Sequence, residues 1–138
     1  MQDHLFIIWH ESDSLGVPLL DEQHRGIVAM INTLYYFMKR GEGEREQRRM
    51  LQMLVHFFRV HFIVEEEMMA AAGYEDLAAH AAEHAAFLQK LEAAEAALGE
   101  VNDPLELLRD LKEWWVGHIR IRDRAYLPAL EAHRLKQS

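Results

Sequence analysis

Leu77-Ala-Ala-His80-Ala-Ala-Glu83-His84-Ala-Ala-Phe87 is the stretch on which the reading of this chain turns. Alanine-rich sequence favours helix, and a helix carries side chains three and four positions apart on one face. Leu77, His80, His84, Phe87 and Leu91 therefore form one stripe, continued by Ala94 and Leu98. Two imidazoles stand in it where apolar side chains belong, one turn apart and close enough to share a ligand.

Comparable stripes run through the rest of the chain. Upstream, His24, Ile27, Ile31, Leu34 and Met38 follow Pro18, whose missing N–H costs nothing in a first turn. Asp21 and Glu22 place negative charge near that helix start, where the helix dipole favours it. A second helix opens near Glu44, with Glu44 and Arg48 spaced for an i,i+4 ion pair. Its stripe is Leu51, Leu54, Phe58, His61, Glu65 and Met68, and Gly73 is suited to a left-handed cap. Downstream of the opening stretch, Gly99 stops the third helix, and Asn102-Asp103-Pro104 is a strong helix start. The fourth stripe reads Leu107, Leu111, Trp114 and His118, with Pro128 near its end. Short glycine-containing links join the four segments. The expected fold is all-α, an antiparallel up-down-up-down four-helix bundle. The expected organisation is one domain over 1–138, with an arm over 1–17 and helices over about 18–40, 44–72, 75–98 and 104–131. Trp9 of the arm is expected to pack across the outside of the bundle.

Composition narrows the function. The chain has 138 residues, 50% hydrophobic and 28% charged, enough for one real core. A net charge of −8 and a pI near 5.5 argue against nucleic acid or anionic membrane as partners. There is no cysteine, hence no disulfide, thiolate ligand or thiol nucleophile. No apolar run approaches membrane-spanning length, and the N-terminus lacks a secretion signal, so a cytoplasmic location is expected. Histidine is the unusual residue, with nine. His4 and His10 in the arm, His56 off the second stripe and His133 in the tail read as solvated side chains.

The other histidines do not. His24, His61, Glu65, His80, His84 and His118 all interrupt apolar stripes, and they come from all four helices. Burying each such group costs kilocalories unless something satisfies them together, and a metal centre does so. In an antiparallel bundle, at about 1.5 Å of rise per residue, their positions converge on one slab nearer a single end. Asp123 is a seventh member that falls off the stripe, about 140° round an ideal helix from His118. The apolar face resumes at Leu127 and Leu130 only if the frame slips, which predicts a π-type widening between His118 and Asp123. Five imidazoles and two carboxylates exceed what one ion can use and suit two first-row metals bridged by both carboxylates. Imidazoles bind as the neutral form, so acid should release the metals.

Asp21-Glu22-Gln23-His24, His61-Phe62-Ile63-Val64-Glu65-Glu66, His80-Ala81-Ala82-Glu83-His84 and Trp114-Trp115-Val116-Gly117-His118-Ile119, followed by Asp123 and Tyr126, together resemble the hemerythrin family, specifically bacterial hemerythrins. The resemblance covers nearly the whole chain. It implies a di-iron site in which His80, His84 and His118 hold one iron and His24 and His61 the other. Glu65, Asp123 and an oxo or hydroxo ligand would bridge them. It implies O2 as the ligand, with NO or small anions as related ligands, in a carrier, store or sensor and not an enzyme. Peroxide or nitric oxide reduction is the alternative. The identity of any protein partner is left open. Two positions depart from the family pattern. Trp115 stands where leucine is common, and with Trp114 is a candidate lining of an O2 pocket; Gly117 stands where asparagine is frequent. The surface carboxylates Glu66, Glu67 and Glu83 read as solvated.

Two rival readings fare worse. His80-x-x-Glu83-His84 also spells a zinc-peptidase signature, but that leaves His24, His61 and His118 unexplained. Ferritin-like di-iron proteins use Glu-x-x-His pairs, and the chain contains none.

Overall fold

The computed structural model describes residues 5–41, 43–98 and 104–137. Gly99, the Asn102-Asp103 cap and His4 lie outside them. The long helices are α1 (Pro18–Lys39), α2 (Glu44–Ala71) and α3 (Leu77–Ala96), followed by α4 (Pro104–Glu113) and α5 (Leu127–Gln137). The all-α bundle expected from the stripes is the fold. α1 packs on α2 and α4, and α2 packs on α3 and α5.

The α2–α3 turn shows how local sequence sets the frame. Gly73 has φ +67°, the left-handed conformation that costs an L-residue but not glycine. Its N–H bonds the Ala70 carbonyl at 3.1 Å and that of Tyr74 bonds Met69 at 3.0 Å, the paired bonds of a Schellman cap. The reversal brings His80 and His84 back alongside Glu65 and His61. One detail of the second stripe differs from expectation: Met69 is fully buried, whereas Met68 is half-buried.

The fourth segment departs most from a regular helix. In place of one helix over 104–131, α4 widens into a π-helical stretch at Trp114–Ile119 and then breaks. The Arg120 N–H reaches five residues back to the Trp115 carbonyl at 3.0 Å. A 3-10 turn at Arg122–Arg124 follows before α5. The widening thus begins before His118 rather than between His118 and Asp123 as expected. Its effect is the anticipated one, since His118 and Asp123 both point inward. Starting early also turns Trp115 inward.

The core is layered. Leu20, Met69 and Tyr126 form a small apolar cluster at one end. A larger one contains Ile27, Ile31, Leu54, Phe58, Phe87, Leu111 and Trp115. Along every helix the polar set lies between the two: His24 between Leu20 and Ile27, His61 and Glu65 between Phe58 and Met69, His80 and His84 before Phe87, and His118 and Asp123 between Trp115 and Tyr126. The arm closes one side. Ile7 is buried and pinned by Asn32, which accepts its N–H at 2.8 Å and donates to its carbonyl at 2.9 Å. Arg120 holds the buried Asp13 at 2.8 Å, and Trp9 rests against Trp115 with ring centroids 6.0 Å apart.

Gly73→Ala forces a Cβ into the left-handed turn. It should lower stability by about 1 kcal/mol, read as a reduced urea midpoint with an unchanged slope. An unchanged midpoint would show that the turn relaxes at no cost.

Candidate metal centre

His24, His61, Glu65, His80, His84, His118 and Asp123 meet in one buried layer, each 5% exposed or less. Their possible ligand atoms fall into two groups. Glu65, His80, His84, His118 and Asp123 form one; His24, His61, Glu65 and Asp123 form the other; within each, the atoms lie within 4.8 Å of one another. Both carboxylates belong to both groups, and each divides its oxygens between them. Glu65 Oε1 is 2.9 Å from His80 Nε2 and 3.0 Å from His84 Nε2. Its Oε2 is 3.2 Å from His61 Nε2. Asp123 Oδ1 lies 3.0 Å from the Nε2 atoms of His80 and His118, and Oδ2 lies 3.3 Å from that of His24. The Tyr126 hydroxyl donates to Glu65 Oε2 at 3.2 Å.

The outer ring nitrogens show whether a cation suits this arrangement. His84 Nδ1 donates to Glu66 Oε2 at 2.7 Å, and His118 Nδ1 donates to Glu83 Oε2 at 2.8 Å. A neutral imidazole whose Nδ1 carries the proton presents a bare lone pair at Nε2. Yet His84 Nε2 and His118 Nε2 face each other at 3.1 Å. Two lone pairs at that distance repel, and a metal ion between them removes the conflict. His61 and His24 also meet Nε2 to Nε2, at 3.1 Å, with the His61 ring held by Nδ1 donating to Gln23 Oε1 at 2.7 Å. Asp123 Oδ2 is buried 3.3 Å from His24 Nε2 and makes no well-formed hydrogen bond. The donor set fits two cations, and its nitrogen and oxygen ligands suit first-row divalent metals.

Without metal, protons must serve instead. Burial disfavours the charged form of His24 and His80, but the carboxylates of Asp123 and Glu65 outweigh it and push both up to about 9. Burial holds His61 below the ordinary histidine value. Glu65 is kept well below the usual carboxylate range: burial opposes this, and the imidazoles of His24, His61, His80 and His84 packed round it prevail. Asp123 is lowered too, against burial and the Glu65 charge, by His118, His24 and His80. Burial, reinforced by Glu65 and Asp123, raises the Tyr126 phenol, which stays protonated.

Two of the carboxylates read as solvated have work here. Glu83, on α3, crosses to His118 and is itself held by Arg122 at 2.9 Å. Glu66, beside Glu65, reaches His84. Gln23, beside His24, reaches His61 and was not singled out by its position in the stripe. Their common signal is a polar residue flanking a ligand candidate, but the contacts run between helices, which periodicity does not register. Trp114 and Trp115, the candidate pocket lining, take different places. Trp114 stacks on His118, centroids 3.9 Å apart and planes 11° apart, and on Phe87 at 4.1 Å. It lines a cavity of about 380 Å³ with Lys90, Gly117 and Arg122. Trp115 is buried edge-on to His24, centroids 6.1 Å apart.

The fold and the layer define a helical bundle built around a buried cluster of histidines and carboxylates, in two groups that could each hold a metal ion. The family model described as the hemerythrin HHE cation binding domain matches residues 15–130. The bacteriohemerythrin of Stenotrophomonas maltophilia (strain R551-3) is 32% identical over 92% of this chain and 83% of its own length. That of Methylococcus capsulatus (strain Bath) is 36% identical over 85% and 90%. The myohemerythrin of Theromyzon tessulatum is 33% identical over 86% and 88%. The crystal structure of a wild-type hemerythrin superposes with a TM-score of 0.83 at 30% identity, covering 90% of this chain and 97% of that one. The chain belongs to the hemerythrin family.

The protonated His24 and His80 give the metal-free protein a distinct pH dependence. Their folded pKa of about 9 exceeds the ordinary value near 6.5, so their contribution is full below about 6.5 and lost as pH rises through about 9. Glu65 and Asp123 are lowered, so theirs is present above about 4 and lost as pH falls through their depressed values. His61 is held below its ordinary value and so costs stability as pH falls below about 6.5, and the urea midpoint of the metal-free protein should therefore peak near pH 6 and fall on both sides. Metal loading at pH 7 should displace those protons, and a pH-indicator dye should register their release. A midpoint that rises between pH 6.5 and 9 would contradict the assignment.

Proposed function

We propose that the chain holds two iron ions and binds O2 reversibly, as an oxygen carrier, store or sensor rather than an enzyme. His80, His84 and His118 would hold one ion and His24 and His61 the other, with Glu65 and Asp123 spanning both. The observation that carries this reading is the division of each carboxylate's two oxygens between two groups of imidazoles. Family membership supports iron and oxygen over other first-row metals and ligands. When bound, a ferrous pair supplies the electrons on which reversible oxygen binding depends.

The chain's own residues do the rest. Glu66, Glu83 and Gln23 orient three imidazoles by holding their Nδ1 protons, so that Nε2 of each faces inward. Tyr126 fixes Glu65 Oε2 and, with its phenol proton retained, remains a donor. The His24 and His61 group offers fewer side chains than its neighbour, which leaves room for a small ligand there. Trp115, backed by the half-buried Trp9 of the arm, covers that side with apolar surface and limits the entry of water.

Reconstitution with Fe(II) under anaerobic conditions should yield two irons per chain. Admitting air should produce a visible absorption spectrum that reverses on purging with argon. One zinc per chain and no colour would refute the reading. Trp115→Leu removes bulk beside His24 and should raise the autoxidation rate several-fold, followed as loss of the oxygenated spectrum. An unchanged rate would dispose of the shielding role.

A further inference from the structure

The two groups differ both in their own donors and in what stands behind them. The first contains three imidazoles and two carboxylates, the second two imidazoles and the same two carboxylates. Behind the first, carboxylates accept the Nδ1 protons of His84 and His118, at 2.7 Å from Glu66 and 2.8 Å from Glu83. Behind the second, His61 meets only the neutral amide of Gln23, and His24 Nδ1 has no partner. A carboxylate drawing on Nδ1–H shifts electron density toward Nε2 and makes the imidazole a better donor, whereas an amide oxygen does so weakly. Arg122 grips both oxygens of Glu83, 2.9 Å from Oε1 and 3.4 Å from Oε2, and so fixes the carboxylate against His118.

We propose, on the footing that the centre is dinuclear, that its two positions are unequal by construction. The position held by His80, His84 and His118 fills first and retains its ion; the position held by His24 and His61 fills second and exchanges. Glu66 and Glu83 set the difference as positioning residues, with Arg122 steering Glu83. Ligand number and polarisation act in the same direction. Repulsion between two cations would by itself split loading into two steps even for identical positions, so the order must be assigned with variants.

The test is titration of the metal-free full chain with Co(II) against a competing chelator, followed by its visible d–d absorption. The wild type should take two ions in two steps. His24→Ala should keep one ion at the wild-type first-step affinity, and His118→Ala should keep one that binds more weakly. Glu66→Gln and Glu83→Gln should each weaken the first step by about 10- to 100-fold. Arg122→Ala, at an exposed position, should weaken it a few-fold. Gln23→Glu, which adds a carboxylate behind His61, should tighten the second step by about 10-fold and depends on no loss of structure. The reverse pattern for His24→Ala and His118→Ala would overturn the proposal. So would a Gln23→Glu second step, or Glu66→Gln and Glu83→Gln first steps, indistinguishable from the wild type. A wild-type stoichiometry of one would instead overturn the dinuclear reading beneath it.

Discussion

Glu65 and Asp123 each face two groups of imidazoles at once, and the rest of the structure is arranged to permit it. A buried carboxylate is costly unless paired and hydrogen-bonded. Here every nitrogen that could satisfy one carboxylate comes from a different turn or a different helix. The requirement sets where α2 must lie against α3 and why the fourth segment cannot remain a regular helix. Regular geometry would carry Asp123 away from the layer that His118 enters. The π-helical stretch at Trp114–Ile119 and the 3-10 turn at Arg122–Arg124 remove that conflict at the expense of helix regularity.

The polar layer is tolerable because apolar layers enclose it. Leu20, Met69 and Tyr126 seal one end, and the larger cluster from Ile27 to Trp115 seals the other. These clusters supply the hydrophobic stabilisation that a layer of seven ionisable side chains does not. They also keep the centre dry, which strengthens its electrostatic interactions. The arm belongs to the same enclosure. Asp13 and Arg120 anchor it, Ile7 enters the core, and Trp9 backs Trp115 beside His24. Stability and function thus rest on the same contacts.

Much of this was legible in the sequence because helical periodicity makes misplaced polar residues conspicuous. His24, His61, Glu65, His80, His84 and His118 announced themselves as interruptions of apolar stripes, and the bundle followed from the stripes. Asp123 was recoverable only through the frame slip implied by Leu127 and Leu130. The slip implies a widened helix but points to the turn after His118, because the apolar pattern reports the accumulated slip and not the turn where it occurs. Glu66, Glu83 and Gln23 were illegible for a different reason. Each is polar, partly exposed and unremarkable on its own helix, and its partner ring belongs to another helix. Such contacts depend on side-chain reach across an interface, which one-dimensional spacing does not encode. The inward turn of Trp115 likewise followed from the position of the π-helical stretch.

The central claim is that two metal ions sit side by side between the helices with Glu65 and Asp123 reaching both. Anomalous diffraction at the iron edge from crystals of the iron-loaded protein tests it most directly. The account predicts two iron peaks in the buried layer, one beside His80, His84 and His118 and one beside His24 and His61, with both carboxylates between them. A single peak, or iron bound at the surface away from this layer, would contradict it.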